Sequence, residues 1–259
     1  MTAAEQVAPV ARAAVVRARG LGWTVGGAVI VEEIDLDVVR GELLAVIGPN
    51  GAGKSTLLHL LSGVTRPTSG TVELDGADVT RRSVTRRARA GLGRTFQTSS
   101  LFDGLAVREN VRLAVQRRGR GALSVLRRAG SADEDAQVGE LLERVRMAHR
   151  ADRTAGELSQ GDRRKLEVAV ALARRPSVLL LDEPMAGVSM EDVPDLVDLV
   201  GSLPAQGVSV VMVEHHMDVV LGLADRVTVL HHGRLLAVGT PGEVTADATV
   251  QQAYLGEGL

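Results

Sequence analysis

The stretch that decides the fold of this chain is Gly48-Pro49-Asn50-Gly51-Ala52-Gly53-Lys54-Ser55-Thr56. It follows an apolar run at 43–47, which predicts a buried strand, and it precedes residues 57–61, whose pattern predicts a helix with a core face. Glycines let successive backbone N–H groups approach an anion without a clashing Cβ, and the helix adds its positive dipole end. Lys54 can then reach the β- and γ-phosphates of a nucleotide, and the Ser55 hydroxyl can ligate Mg²⁺. The stretch therefore predicts a phosphate-binding loop, with a glycine-rich turn that binds nothing as the alternative.

The composition suits one large α/β domain or a core with an inserted subdomain. Of the 259 residues, 45% are hydrophobic but only 2% are aromatic, so we expect a core packed by Leu, Val and Ala. The net charge of -2 gives no reason to expect nucleic acid, and the lack of cysteine excludes disulfides and thiolate metal sites. No run approaches the ~18 apolar residues of a membrane span. Residues 1–12 lack the basic start of a signal peptide, and we expect an intracellular type of polypeptide with a flexible N-terminus.

Strand patterns lie on both sides of the loop in the N-terminal part of the chain. Residues 13–39 are β-like and are punctuated by Gly20 and by Gly26-Gly27, which predicts hairpin turns at both places. Residues 71–76 alternate strictly between apolar and polar side chains and end in an Asp-Gly turn, which predicts an exposed edge strand. These segments predict an antiparallel β subdomain at the N-terminus.

Two segments are rich in arginine. Residues 81–94 carry six arginines, with Val84, Ala88 and Leu92 at four-residue spacing, which favours a solvated helix face over a contact with lipid or a partner. Residues 117–128 are basic and contain glycine, and we interpret them as a flexible loop without a binding role.

The second half of the chain alternates between strand and helix patterns. Residues 98–158 predict helices and polar loops, including a helix capped by Ser131. Strand-like runs return at 177–181, 208–213 and 226–230, with a helix at 192–203 between the first two and a small C-terminal helix at 250–255. Strand–helix–strand units that bracket a helical block predict a parallel-sheet core interrupted by an inserted helical subdomain.

Two adjacent carboxylates, Asp182 and Glu183, end the apolar run at 178–181. Consecutive side chains at a strand end point to different sides, so the two can do different work. Asp182 suits an indirect contact to Mg²⁺, through a ligand of the ion. Glu183 can orient and deprotonate the water that attacks a γ-phosphate. An ordinary solvated strand end is the alternative, which the loop upstream makes less favoured.

Further motifs carry a resemblance to a known family. Leu158-Ser159-Gln160-Gly161-Asp162 resembles the signature of ABC transporters, Arg94-Thr95-Phe96-Gln97 resembles their Q-loop, and Val213-Glu214-His215 resembles their switch-histidine segment. The chain is similar to the ATP-binding subunits of these transporters over about residues 15–255. The resemblance implies an α/β fold of the P-loop NTPase (RecA-like) class, with a parallel-sheet core, an N-terminal antiparallel β subdomain and an inserted α-helical subdomain.

The resemblance also implies the site. ATP and Mg²⁺ would be the cofactors, held by residues 48–56, and Ser55, Gln97 and Asp182 would face the metal. Glu183, His215, Gln97 and Lys54 would be catalytic. Two subunits would pair head to tail, so that Ser159 and Gly161 at a helix start cap the γ-phosphate on the partner's loop. We expect His215 to contact the γ-phosphate, and His216 to be only a surface residue.

The resemblance further implies domains and partners. The domains would be a flexible 1–12, an ATP-binding core at 13–97 and 166–240, an inserted helical subdomain with the signature motif at 98–165, and a tail at 241–259. The partners would be a second ATP-binding subunit, integral membrane permeases docked near 97–110 and, indirectly, a periplasmic-type solute-binding protein, with no nucleic acid. The location would be cytoplasmic, peripheral on the inner face of the membrane.

Within the family, the branch for branched-chain and other hydrophobic amino-acid uptake matches best. Residues 91–97, Leu101-Phe102, 107–110 and the tail at 253–256 are similar to that branch. Urea/amide uptake subunits and, more loosely, lipopolysaccharide-export ATPases share most of these features. A soluble ABC-type ATPase without a membrane partner, favoured by coiled-coil arms or tandem cassettes that the sequence lacks, and a binding-only switch, disfavoured by Glu183 and His215, are the alternatives from other classes.

Three departures from the family pattern stand out. Gln160 and Asp162 differ from the commonest signature residues, and Ser189 stands where many relatives carry an aspartate, which puts coupling across the interface in doubt. Val25 occupies the position of the aromatic residue that usually stacks on adenine. Trp23 lies on the same strand face if the strand is regular, so either residue could contact the base.

Overall fold

The computed structural model describes residues 13–95, 101–116 and 132–255. The strands are β1 (Ala14–Val25), β2 (Ala28–Val39), β3 (Leu43–Ile47), β4 (Ser69–Leu74), β5 (Ala77–Asp78), β6 (Leu92–Arg94), β7 (Val178–Asp182), β8 (Ser209–Val213), β9 (Arg226–His231) and β10 (Arg234–Gly239). The α-helices are α1 (Lys54–Ser62), α2 (Val84–Arg89), α3 (Val107–Gln116), α4 (Ala132–Arg144), α5 (Gln160–Leu172), α6 (Val193–Ser202), α7 (Met217–Leu223), α8 (Pro241–Ala246) and α9 (Ala248–Leu255).

The N-terminal strands form an antiparallel sheet in the order β2-β1-β4-β5. The hairpin predicted at Gly26-Gly27 is confirmed, since both glycines have positive φ between β1 and β2. The turn predicted at Gly20 is wrong: β1 runs through this residue, whose φ of 54° accompanies a register shift between Ala18 and Leu21. The strand predicted at 71–76 is β4, but it lies between β1 and the short β5 and so is not an edge.

The core sheet has the order β10-β9-β3-β8-β7-β6. Strands β9, β3, β8, β7 and β6 run parallel, and β10 joins β9 as an antiparallel edge strand. The three apolar runs of the second half are therefore strands, as predicted, whereas the sequence patterns did not predict β6 or β10. Because the carboxyl ends of parallel strands meet at one edge of the sheet, the residues that follow β3, β7 and β8 are brought together there.

Strand β3 is the centre of the packing. All five of its residues are buried. Leu44 and Val46 pack with the antiparallel sheet and α1, whereas Ala45 and Ile47 pack with α7, β9 and the C-terminal helices. Leu43 joins a third cluster, which contains the apolar faces of α3, α4, α5 and α6. A strand with apolar layers on both faces explains the continuous apolar run that precedes the glycine-rich loop.

The arginine-rich segment 81–94 does not form the solvated helix face that its spacing predicts. Only α2 is helical, and Gly91, with a φ of 107°, precedes strand β6. Arg87 is buried and donates to the carbonyls of Leu60 and Leu61 at the end of α1. The side chain of Arg94 is only 6% exposed. The four-residue spacing of apolar side chains therefore continues from a helix into a strand, and two of the arginines are structural.

Helices α3 and α4 lie within 98–158, where the sequence predicts helices and polar loops, and α5 follows them. Helix α4 begins at Ala132 with three acidic residues in its first turn, while its predicted cap Ser131 and the basic segment 117–128 lie outside the described residues. The predicted boundary between 165 and 166 falls inside α5. In the described part of the chain, no helix is both long and apolar enough to cross a bilayer.

Candidate active site

The loop after β3 contains two glycines, Gly48 and Gly53, whose positive φ and close neighbours disfavour a Cβ. Gly48 has a φ of 149°, and a Cβ on it would lie 2.1 Å from the Leu230 carbonyl oxygen. Gly53, with a φ of 100°, precedes the first residue of α1, and a Cβ there would lie 3.0 Å from a methyl group of Val31. The first turn of α1 contains no acidic side chain, so its N–H groups and dipole are available to an anion. The loop thus has the backbone of a phosphate cradle.

Lys54 places a cation inside this loop. Its Nζ donates to the carbonyl oxygens of Gly48 and Pro49 at 2.6 and 2.8 Å. Burial lowers the pKa of Lys54, and the carboxylate of Glu183 is close enough to oppose part of that decrease. A poorly solvated ammonium that is held by two carbonyls gains when a phosphate oxygen comes within reach.

Asp182 ends β7 in a buried ion pair with Arg94. One guanidinium nitrogen of Arg94 donates to Asp182 Oδ2 at 3.2 Å, and the other donates to the Ser62 hydroxyl of α1 at 2.7 Å. Burial raises the pKa of Asp182, and the charge of Arg94 acts in the opposite direction. The sequence did not predict the ion pair of Arg94 with Asp182. The two residues are far apart in the chain, and only the pairing of β6 with β7 brings them together.

The second carboxylate oxygen of Asp182 fits a cation. Oδ1 is buried and has no hydrogen-bond partner among the described residues. Buried polar atoms are almost always bonded, and a carboxylate oxygen is a ligand that Mg²⁺ prefers. The carboxylate therefore has one oxygen held by the protein and one that is free for a metal or for a water bound to it.

Glu183 and His215 meet at the carboxyl ends of β7 and β8. His215 Nε2 lies 2.8 Å from Glu183 Oε1, and the Glu183 N–H donates to the Val213 carbonyl at 2.9 Å. Glu183 has a φ of 49°, which is a strained conformation for this residue type and one that clusters at functional sites. Both side chains are partly exposed. The geometry places a carboxylate and an imidazole in contact with each other, both partly open to solvent and near Lys54.

The signature motif forms the start of α5. Ser159 is exposed and caps the helix, because its hydroxyl accepts from the Asp162 N–H at 3.2 Å. Gly161 is buried, and a Cβ on it would lie 2.6 Å from the Cβ of Asp192 just before α6. Asp162 forms an ion pair with Arg150, and its buried position makes it an anchor of the helix. The unusual residue at 162 therefore has a structural partner within the chain.

Some predicted site residues are not brought together, or lie outside the described residues. No hydrogen bond or ion pair among the described residues joins Ser159 to the loop around Lys54, as a site shared between two subunits requires. Gln97 lies outside the described residues, so its predicted contact to Mg²⁺ stays a prediction. His216 is largely exposed, as expected, but its Nδ1 lies 2.6 Å from the buried carboxylate of Glu214, so it is more than a surface residue.

The two candidates for contact with adenine, Trp23 and Val25, lie on strand β1, which is irregular around Trp23. Register shifts occur on both sides of Trp23, between Leu21 and Trp23 and between Trp23 and Thr24, so β1 is irregular here. Trp23 is half-buried against the cluster that contains α1, whereas Val25 is 49% exposed. The expectation that both side chains share a face therefore loses its basis.

Comparison with known proteins agrees with this geometry. The family model described as "ABC transporter" matches residues 31–186, and one described as "Branched-chain amino acid ATP-binding cassette transporter" matches residues 234–259. The chain is similar to the high-affinity branched-chain amino acid transport ATP-binding protein LivG of Escherichia coli (strain K12), with 36% identity over 92% of this chain and 96% of that protein. It is 35% identical to BraF of Pseudomonas aeruginosa, with the same coverage, and 35% identical to the lipopolysaccharide export protein LptB of Acidithiobacillus ferridurans over 88% of this chain and 91% of that protein.

Solved structures agree as well. The ADP conformation of an ATP-binding cassette of an ABC transporter superposes with a TM-score of 0.83 at 29% identity, covering 94% of this chain and 99% of that one. A nucleotide-free cassette gives a TM-score of 0.82 at 27% identity, covering 93% and 99%. These matches confirm the α/β P-loop fold and the resemblance found in the motifs. The chain belongs to the ATP-binding subunits of ABC transporters, and it is an ATPase.

Proposed function

We propose that the chain is the ATP-hydrolysing subunit of an importer for branched-chain or related hydrophobic amino acids. The observation that carries the hydrolytic part is the contact between Glu183 and His215 beside the Lys54 loop. The match of residues 234–259 to the branched-chain model and the likeness to LivG and BraF support the transported class.

The proposed chemistry assigns a role to each group. Lys54 and the backbone N–H groups of the loop at 48–56, apart from Pro49, which has none, hold the phosphates of ATP. Glu183 accepts the proton of the attacking water, and His215 fixes the Glu183 carboxylate and donates a hydrogen bond to the γ-phosphate. In-line placement of water and phosphate is the main contribution that a protein makes to phosphoryl transfer.

Mg²⁺ is proposed as the cofactor of ATP. Ser55, Gln97 and Asp182 would face it, and the free Oδ1 of Asp182 supports this assignment. When bound, the ion would neutralise the charge on the β- and γ-phosphates.

We propose further that two copies, or this chain and a paralogue, pair head to tail. The exposed Ser159 at the start of α5 supports this pairing, because an exposed helix start can face the phosphate loop of a partner. A dimeric cassette of 25% identity, solved with ADP and Pi, superposes with a TM-score of 0.74 and covers 87% of this chain and 98% of that chain.

Membrane permeases are the other proposed partners, and they would dock near residues 97–110. Phe102 and Leu105 are apolar side chains that are 59% and 38% exposed, and neither belongs to a core cluster. The Asn110 side chain accepts from the Phe102 N–H and donates to nearby carbonyls, so this exposed loop is held in one shape. The proposed location is the cytoplasmic face of the membrane, with a periplasmic-type solute-binding protein as an indirect partner and no nucleic acid.

Lipopolysaccharide export is the second candidate function, favoured by the likeness to LptB. Urea/amide uptake, whose subunits share most of the motif features quoted above, is a third. Uptake of labelled leucine into vesicles that contain the chain with candidate permease subunits tests the amino-acid assignment. ATP-dependent accumulation of leucine is expected, and ATPase activity without leucine accumulation would reject the amino-acid assignment.

The hydrolytic assignment is tested with Glu183→Gln. This variant should bind ATP as the parent does and lose turnover, because the amide cannot accept the proton of water. Glu143→Gln, on the exposed face of α4, is the matched control and should hydrolyse ATP at the parent rate. Parental turnover in Glu183→Gln would show that Glu183 is not the base.

A further inference from the structure

Glu214 is a buried carboxylate at the turn between the strand β8 and His215. It is 2% exposed, and no Lys or Arg among the described residues pairs with it. Its Oε1 accepts from the His215 and His216 N–H groups at 3.0 and 3.3 Å and contacts His216 Nδ1 at 2.6 Å. Its Oε2 faces the other way and accepts from the Met185 N–H at 3.4 Å. Each oxygen thus holds a different segment of the site.

The two segments are those that carry the reacting pair. Met185 lies two residues after Glu183, in the turn that follows β7, and its side chain is buried in the core. The turn after β8 carries His215. The Glu183 N–H also donates to the Val213 carbonyl, so the two turns are joined on both sides of the 2.8 Å contact between His215 and Glu183.

We propose that Glu214 is a positioning residue, whose two carboxylate oxygens hold the His215 turn and the Glu183 turn in register. The inference rests on the proposed roles of Glu183 and His215. A buried carboxylate is costly unless its oxygens are bonded, and here both are bonded to groups whose positions set the site geometry. A positioning residue of this kind affects the rate of the reaction without contacting the nucleotide.

Glu214→Gln is the matched change because it keeps the shape of the side chain. An amide has one acceptor oxygen, so it can serve the His215 turn or Met185 but not both. We expect kcat to fall roughly tenfold to hundredfold, while the affinity for ATP stays within about twofold of the parent. Glu42→Gln is the control, since Glu42 is also buried, accepts a backbone N–H from Val39 and lies away from the site. It should leave kcat unchanged.

A double-mutant cycle separates positioning from general damage. If Glu214 acts through His215, Glu214→Gln should lower kcat in the parent but cause little further loss in a His215→Ala background. Equal fold losses in both backgrounds, or parental kcat in Glu214→Gln, would overturn the inference. If His215→Ala alone retains parental kcat, the proposed role of His215 fails instead, so the two failures are distinguishable.

A second variant decides the matter if Glu214→Gln does not fold. The ring of His216 is largely exposed, so His216→Ala should fold, and it removes the shortest contact to the Glu214 carboxylate. We expect kcat to fall by about threefold with unchanged ATP affinity, and again only when His215 is present. Parental kcat in His216→Ala would then count against the inference.

Discussion

Replacing Lys54 with methionine separates the stability of the phosphate loop from its affinity for ATP. The change keeps an unbranched side chain and removes the ammonium group. Without nucleotide, the chain loses two charge-assisted hydrogen bonds, to the Gly48 and Pro49 carbonyls, worth about 1.5–3 kcal/mol each. It also escapes the cost of burying a cation, which is of similar size and opposite sign. We therefore expect the free energy of unfolding to change by no more than about 2 kcal/mol.

The effect on nucleotide binding should be much larger. At an effective dielectric constant of about 20, a unit charge about 4 Å from a phosphate charge contributes about 4 kcal/mol, and each 1.4 kcal/mol is about tenfold in affinity. Lys54→Met should therefore weaken ATP binding by about a thousandfold. The measurement is a titration with a fluorescent ATP analogue, next to urea unfolding of the same samples.

Lys165→Met is the matched control, since Lys165 is the only other lysine in the chain. Its Nζ is also buried but donates to Asp195 at 2.8 Å, away from the loop. It should bind the analogue like the parent at protein concentrations too low for dimers. If Lys54→Met binds within about tenfold of the parent, the assignment of Lys54 to the phosphates is wrong.

The lowered pKa of Lys54 predicts the direction in which stability changes with pH. Because the native pKa is below the ordinary value of 10.5, the unfolded chain holds this proton more tightly than the native chain does. The stability of the parent relative to Lys54→Met should therefore rise as the pH increases through the interval between the lowered pKa and 10.5. A relative stability that falls with pH in this interval would contradict the burial of the cation.

Three further changes test other parts of the structure. Arg94→Met leaves the buried Asp182 without its cation and should lower the unfolding free energy by about 3–5 kcal/mol in urea titrations; an unchanged midpoint and slope would contradict the ion pair. Gly161→Ala puts a Cβ 2.6 Å from Asp192 and should reduce the ATPase rate at least about tenfold without changing analogue binding by the single chain. Gly48→Ala should abolish analogue binding, because its Cβ would lie 2.1 Å from the Leu230 carbonyl oxygen; binding at parental affinity would refute the loop geometry.

The sequence was sufficient to predict those strands that are completely buried on both faces. Strands β3, β7 and β8 are wholly buried, so their continuous apolar runs are unambiguous. Strand β6 has three residues that include a glycine and an arginine, and β10 is only half-buried, so neither has a pattern that stands out from a loop. Short and edge strands depend on pairing with distant segments, which periodicity does not contain.

The site residues also divide into those that a local sequence pattern predicts and those that depend on contacts with distant segments. Lys54, Glu183 and His215 could be named from motifs, because each has a fixed place next to a strand end or a loop. The partner of Asp182 could not be named, since Arg94 is 88 residues away and its stretch had the spacing of a solvated helix. Glu214 could not be recognised either, because an acidic residue next to His215 shows its function only when its two oxygens are seen to reach different turns.

The sharing of one active centre between two copies can be measured directly by light scattering of Glu183→Gln with saturating ATP and Mg²⁺. We expect twice the 27.3 kDa mass of one chain, and a single-chain mass when Ser159→Arg is added, since the larger cationic side chain blocks the start of α5 without touching the chain's own loop. A dimer that persists in Glu183→Gln/Ser159→Arg, or a Glu183→Gln chain that stays single with ATP bound, would contradict the head-to-tail site.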